Sequence, residues 1–181
     1  MIKGGSTRAF DNQANANHYL IDYINKYKVR EAKLIEYDGD SVKQLMEVLL
    51  QHKVRLHVLL QHPEHACSGF QANRILHKIR VREEEFGEYG DRITFSYYKD
   101  TASIRGRGFD NKLISIGWYT YDRRGQSGIG GEPQVWGHNN PVLVIRDDSD
   151  EFRHISVFFF RKGISKSLEQ FRNVRRIKAA L

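Results

Sequence analysis

Ser103, Arg105 and Arg107 stand two residues apart in the run Ser103-Ile104-Arg105-Gly106-Arg107-Gly108-Phe109-Asp110. Side chains on an extended chain alternate with period two, so a strand here projects one hydroxyl and two guanidinium groups from one face. Arginine presents a planar fork of N–H donors that matches phosphate or carboxylate oxygens, and the chemistry that follows is anion recognition. Gly106 and Gly108 leave the opposite face bare, open to close approach by a backbone or a ligand. The alternative is a glycine-permitted bulge with both arginines in solvent.

A second group, Trp136-Gly137-His138-Asn139-Asn140-Pro141, carries an imidazole and two amides. Amides donate to phosphate oxygens or read a polar ligand edge; the alternative is a plain turn broken at Asn140-Pro141. A serine hydroxyl is a weak nucleophile without an adjacent base. No base lies near Ser103 in the sequence, and His138 is the one that could approach it in space. Other groups offer less. His57, His62 and His65 do not form an i, i+4 helical pair, so no metal site and no cofactor are expected. The glycines from Gly125 to Gly131 lack the Gly-Lys-Ser/Thr ending of a nucleotide-cradling loop, which leaves a surface loop or a lid. Cys67 has no activating neighbour except His65 and reads as inert. Near the end of the chain, Arg172, Arg175, Arg176 and Lys178 form a basic stretch. It is suited either to nucleic-acid phosphates or to a solvated helix C-terminus.

The elements that must hold these residues read as an α/β protein. Residues 1–17 are small and polar and read as a tail or linker remnant, followed by a single domain over 18–181. His18 to Tyr27 has helical spacing, and Lys33 to Tyr37 is a short strand. After Asp40 or Ser41 as cap, Val42, Leu45, Met46, Leu49 and Leu50 form one helix face; Val54 to Leu60 is a second strand. Strand, helix and strand in so short a span make a right-handed βαβ unit with a parallel pair. Gln71 to Val81 is helical and leads to Glu83-Glu84-Glu85, a solvated helix end. Arg92 to Tyr98, Ala102 to Phe109 and Lys112 to Tyr121 are extended, with a tight hairpin at Asp110-Asn111. Pro141 to Ile145 is another strand, and from Glu151 the chain is helical with Phe152, Ile155 and Phe159 inward. The expected class is α/β, a mixed β-sheet with helices on both faces.

Composition sets the outer limits. The 181 residues are 40% hydrophobic and 12% aromatic, enough for a core, and carry a net charge of +7. That excess favours an anionic partner. The longest apolar cluster, Val157 to Phe160, is far shorter than the roughly 18 residues of a membrane span. With no apolar leader and a single cysteine, the chain reads as a cytoplasmic domain without a disulfide framework.

The spacing Ser103-x-Arg105, four residues, Asp110, six residues, Gly117 resembles the phospholipase D superfamily signature His-x-Lys-x4-Asp-x6-Gly-Ser. The order of predicted elements from Lys33 to Phe171 is similar as well. The resemblance implies a phospholipase D-like half, with Trp136, His138, Asn139 and Asn140 lining the same pocket as Ser103, Arg105, Arg107 and Asp110. In that family the histidine is the nucleophile, the lysine holds phosphate oxygens and the aspartate supports the histidine. Here serine and arginine stand at the first two positions, Asp110 and Gly117 are kept, and Trp118 replaces the final serine. The expectation is therefore a non-catalytic module that binds a phosphorylated ligand or nucleic-acid phosphate, as a sensor or regulatory domain. The alternative is a divergent nuclease or phosphodiesterase working through Ser103, Asp110 and His138. Single-motif members pair two chains across a two-fold axis, which implies a homodimer; membership of a larger protein or complex is a further expectation.

Overall fold

Period-two burial sets the sheet. Along β2 (Glu31–Glu36) Ala32, Leu34 and Glu36 are buried and alternate with half-buried neighbours. The computed structural model describes residues 5–99, 103–122, 134–147, 149, 152–154, 156 and 160. Within them the strands are β1 (Ser6–Phe10), β2, β3 (Arg55–Gln61), β4 (Ile93–Tyr98), β5 (Ile104–Phe109), β6 (Leu113–Trp118), β7 (Thr120–Asp122), β8 (Gln134–Trp136) and β9 (Val142–Arg146). The helices are α1 (Gln13–Lys26), α2 (Lys43–Gln51) and α3 (Gly69–Phe86), with short 3-10 turns at Asp40–Val42, Pro63–His65 and Gly87–Arg92.

Seven strands form one mixed sheet in the order β1-β9-β6-β5-β2-β3-β4, and β7 pairs with β8 apart from it. The pairs β2–β3 and β3–β4 are parallel, while β5 runs antiparallel to β2. The expected βαβ unit is β2-α2-β3. Because α2 buries Leu45, Met46, Leu49 and Leu50, each contributing roughly 1.5–3 kcal/mol, packing rather than capping holds it: Val42 at its N-terminus makes no side-chain cap bond.

One face of the sheet is covered by α1, α2 and α3. Their residues Ala16, Leu20, Ile24, Leu45, Leu49 and Ile75 join Leu34, Leu56, Val58, Phe109, Leu113 and Val144 in the main core. The other face carries a smaller cluster, in which Phe152 and Phe160 pack with Ile114 against Ile35, Ile116 and Ile145. Phe160 sits directly against Gly108, so the bare glycine face expected to admit a backbone or a ligand is met there by the Phe160 ring. Helical residues 152–154 put helix on this second face too, and the expected mixed sheet with helices on both faces is found.

Two elements differ from expectation. Residues read as a polar tail hold β1, which pairs in register with β9 from Ser6↔Arg146 to Phe10↔Val142. An edge strand needs only its backbone to pair, so exposed side chains gave no apolar alternation to read. The asparagine-rich run opens α1, where Asn12 Oδ1 accepts from Asn15 N at 3.0 Å. The hairpin at Asp110 and Asn111 is present, both in the left-handed region (φ 50° and 54°) that aspartate and asparagine tolerate. The loop around Gly125 to Gly131 and the basic residues Arg172, Arg175, Arg176 and Lys178 lie outside the described residues.

Candidate functional site

The carboxyl ends of β2, β3 and β4 come to one edge of the sheet, together with the start of β5, the end of β6 and the start of β9. In open α/β sheets that edge is where ligands collect, because loops there are free to diverge around a rigid frame. Arg105 lies at this edge. It projects from β5 on the same face as Arg107 and Phe109, toward the helical layer.

Arg107 is fully engaged. Its Nε donates to Glu36 Oε1 at 2.7 Å and its Nη2 to Ser41 Oγ at 3.2 Å, while Nη1 donates to Asn17 Oδ1. Glu36 is equally occupied: Oε2 accepts from Ser41 Oγ at 3.1 Å and from Tyr119 OH at 3.3 Å. The two charged side chains are 1% and 2% exposed, so this is a buried pair whose remaining lone pairs and protons are bonded, the condition under which such a pair is tolerated. Arg107, expected in the anion site, has its guanidinium donors taken up by Glu36, Asn17 and Ser41 inside the protein.

Arg105 is different. It is 2% exposed. Its Nη2 reaches the Asn140 carbonyl at a long 3.4 Å and its Nε has no hydrogen-bond partner. Its Cζ lies 5.8 Å from the centre of the Tyr119 ring. Burial pushes its pKa down, and the Glu36 carboxylate works against that shift. One carboxylate thus serves two guanidinium groups, and the surplus positive charge rests on Arg105.

Two glycines make the room that the Arg105 guanidinium fills. A methyl group at Gly117, the cross-strand partner of Arg105, would stand 2.5 Å from its Nε. One at Gly137 would stand 2.7 Å from Tyr119 Cδ1 and 3.0 Å from Arg105 Nη1. The turn over 136–140 can close on the guanidinium because Gly137 has no side chain.

No family model matches the sequence, and no curated protein does either. Solved structures do match. NucT from Helicobacter pylori aligns at TM-score 0.56 with 14% identity, over 91% of this chain and 98% of that one. Nuc from Salmonella typhimurium, a phospholipase D family member, aligns at TM-score 0.53 with 9% identity, over 91% of this chain and 97% of that one. The fold is phospholipase D-like. Phosphatidylserine synthase from Haemophilus influenzae aligns at TM-score 0.54 with 13% identity; it covers 97% of this chain, which spans 46% of the synthase. At such identities the likeness speaks to the fold, and the chemistry rests on this chain's own residues.

On this phospholipase D-like frame the expected site residues do not all meet. Ser103 is exposed just before β5, and its carbonyl accepts from Tyr119 N at 3.0 Å. Asp110 lies at the opposite end of β5, where its carboxylate accepts from the backbone N–H groups of Arg30 (3.0 Å) and Glu31 (2.8 Å). That carboxylate ties the hairpin to the start of β2 and is remote along the strand from Arg105. Asn140 does sit beside Arg105, but through its carbonyl; its side-chain amide donates to the Trp118 carbonyl at 2.9 Å and the Trp136 carbonyl at 3.4 Å. His138 is exposed, its ring 6.0 Å from that of Trp136, and its carbonyl accepts from Gln13 N at 3.0 Å. Trp136 is 39% exposed, and Asn139 is exposed on the same turn.

Glu36, Asn17, Ser41 and Tyr119 complete the site and were missed in the sequence. For Glu36 a signal existed: a carboxylate at the inward position of the alternation Ala32, Leu34, Glu36 must be paired. For Asn17 none did, since its role depends on where α1 docks. No helix among the described residues is long and apolar enough to cross a membrane.

Proposed function

We propose that the protein is a non-catalytic phospholipase D-like module that binds a phosphate-bearing ligand, either a small molecule or a nucleic-acid end, through Arg105. One observation carries the reading: a guanidinium 2% exposed with an unused Nε donor, beside a second guanidinium that already takes the local carboxylate. A buried cation with a spare donor is costly alone and is relieved by an anion. Phosphate oxygens match the guanidinium fork, and the similarly folded structures include a phospholipase D family member and a phosphatidylserine synthase, names that denote phosphate-bearing lipids.

Support for the absence of catalysis is chemical. A phosphoryl-accepting side chain needs a base to activate it, and Ser103 has no hydrogen-bonded base among the described residues. The test is isothermal titration with a short 5′-phosphorylated oligonucleotide and with a phosphomonoester. Arg105→Ala is expected to weaken binding by roughly 10-fold or more, the cost of a charged hydrogen bond, while Arg80→Ala, an exposed charge control on α3, leaves it within about twofold. Equal binding by both variants overturns the reading. Turnover of a phosphodiester that disappears in Ser103→Ala or His138→Ala would replace it with the hydrolase.

The reading extends to a homodimer, which the family resemblance implies. Ile104, Trp118 and Leu143 are exposed by 39%, 38% and 37% on adjoining strands at the Arg105 end of the sheet, an apolar surface suited to a second copy. Light scattering at tens of micromolar (roughly where weak dimers populate) is expected to give twice the chain mass, and a monomer there rejects the dimer.

A further inference from the structure

On the same edge of the sheet as Arg105, but past β3, the chain runs His62-Pro63-Glu64-His65 through one 3-10 turn. In the sequence these histidines lacked the i, i+4 spacing of a helical ligand pair. The 3-10 turn covers Pro63–His65, and His62 precedes it as an extended N-cap (φ −71°, ψ 133°), so the two imidazoles come together across the start of the turn rather than along a helix face. Their ring centres are 5.9 Å apart. Ligand atoms of His62, Glu64 and His65 all lie within 4.8 Å of one another, the group among the described residues that could hold a cation.

We propose that His62, Glu64 and His65 form a binding site for a divalent first-row transition-metal ion of the zinc class. Two imidazole nitrogens and one carboxylate oxygen are a donor set for such ions and leave a coordination position for water or an anion. Donor atoms around a tetrahedral ion with bonds of about 2.0–2.1 Å stand about 3.3 Å apart. His62 Nδ1 and Glu64 Oε2 are 3.8 Å apart, so closure asks for a contraction of under an ångström there. Glu64 can make it, with a side chain 75% exposed.

The turn is held in place by bonds outside the ligand set. Pro63 fixes the first backbone angle. His65 N donates to the His62 carbonyl at 3.0 Å, and Gln61 Nε2 donates to the His65 carbonyl at 3.4 Å. The His62 ring stands edge-on to Tyr97 at 6.2 Å and 84°, which limits its rotation. The one bond that ligation displaces is weak: His62 Nδ1 accepts from Glu64 N at 3.3 Å. A cation there would also sit on the sheet edge that presents Arg105, two strands away, adding a second positive group to the same rim without depending on the phosphate reading.

The test uses the full chain, stripped with chelator and titrated with Co2+, whose visible d–d bands report coordination, then with Zn2+ in competition. The expected result is one equivalent of Co2+ with absorption of a four- or five-coordinate ion, displaced by Zn2+. His65→Gln should lower affinity by more than the roughly 10–100-fold that an outer partner costs, and Glu64→Gln should shift the Co2+ bands. His65 and Glu64 are both exposed, so these variants should keep the wild-type circular dichroism, checked alongside. No d–d absorption in the wild type, or unchanged Co2+ binding in His65→Gln, overturns the site. Loss of binding in His138→Gln with His65→Gln unaffected does so equally, by assigning the ion to another part of the chain.

Discussion

Arg105 and Arg107 leave the same strand on the same face, two residues apart, and meet opposite surroundings. Arg107 finds a carboxylate, an amide oxygen and a hydroxyl, one for each nitrogen. Arg105 finds a tyrosine ring, a distant carbonyl and two glycines. The contrast separates two uses of one residue type in the interior. A guanidinium whose donors are all matched is part of the framework, and its removal leaves Glu36 charged and unpaired. A guanidinium with a surplus of donors and charge contributes little to folding, and it is the one to which our proposal assigns a ligand.

Breaking the first side of that contrast should give the largest effect. Arg107→Met leaves the Glu36 carboxylate buried without its partner and is expected to destabilise by about 3–5 kcal/mol, measured by urea unfolding. Arg105→Met removes a cation that nothing fully pairs and should change stability by less than about 1 kcal/mol or raise it. Equal losses from the two variants would erase the distinction between them. Tyr119→Phe tests the residue between them, whose ring lies beside Arg105 and whose hydroxyl donates to the carboxylate that pairs with Arg107. It deprives Tyr37 N of its 2.8 Å acceptor and Glu36 Oε2 of a donor, at an expected cost of about 1–3 kcal/mol. A neutral result would mean water or another group takes over those bonds.

The smallest effect concerns pH and the far side of the sheet. His57 lies on β3 beside Glu31, Lys33 and Arg55; burial lowers its pKa, which Glu31 partly offsets. The unfolded chain therefore takes up a proton near pH 6.5 that the folded protein accepts only at lower pH. Stability is fully present above that value and falls as the solution is acidified through it. Thermal unfolding between pH 7.5 and 5 should show a smaller decline for His57→Gln than for the wild type. Identical slopes would place the acid sensitivity elsewhere.

Much of the fold was legible because it depends on local periodicity. The inward stripe Leu45, Met46, Leu49 and Leu50, the βαβ order and the Asp110-Asn111 hairpin are set by neighbours within a few residues, and each was readable as written. The exceptions share a cause. β1 is bound by backbone pairing to a strand more than a hundred residues away, and nothing in its exposed side chains advertises that partner.

For the site, the sequence by itself determined the types of group available: arginines on one strand face, glycines that allow close approach, a turn carrying an imidazole and amides, histidines flanking a proline. Which arginine is spent and which is left over was decided only by the tertiary structure. That outcome depends on Asn17 from α1, Glu36 from β2 and Ser41 ahead of α2 converging on one guanidinium and missing the other. Convergence of this kind follows from how helices dock on a sheet, a long-range packing event that residue spacing along a single strand does not encode.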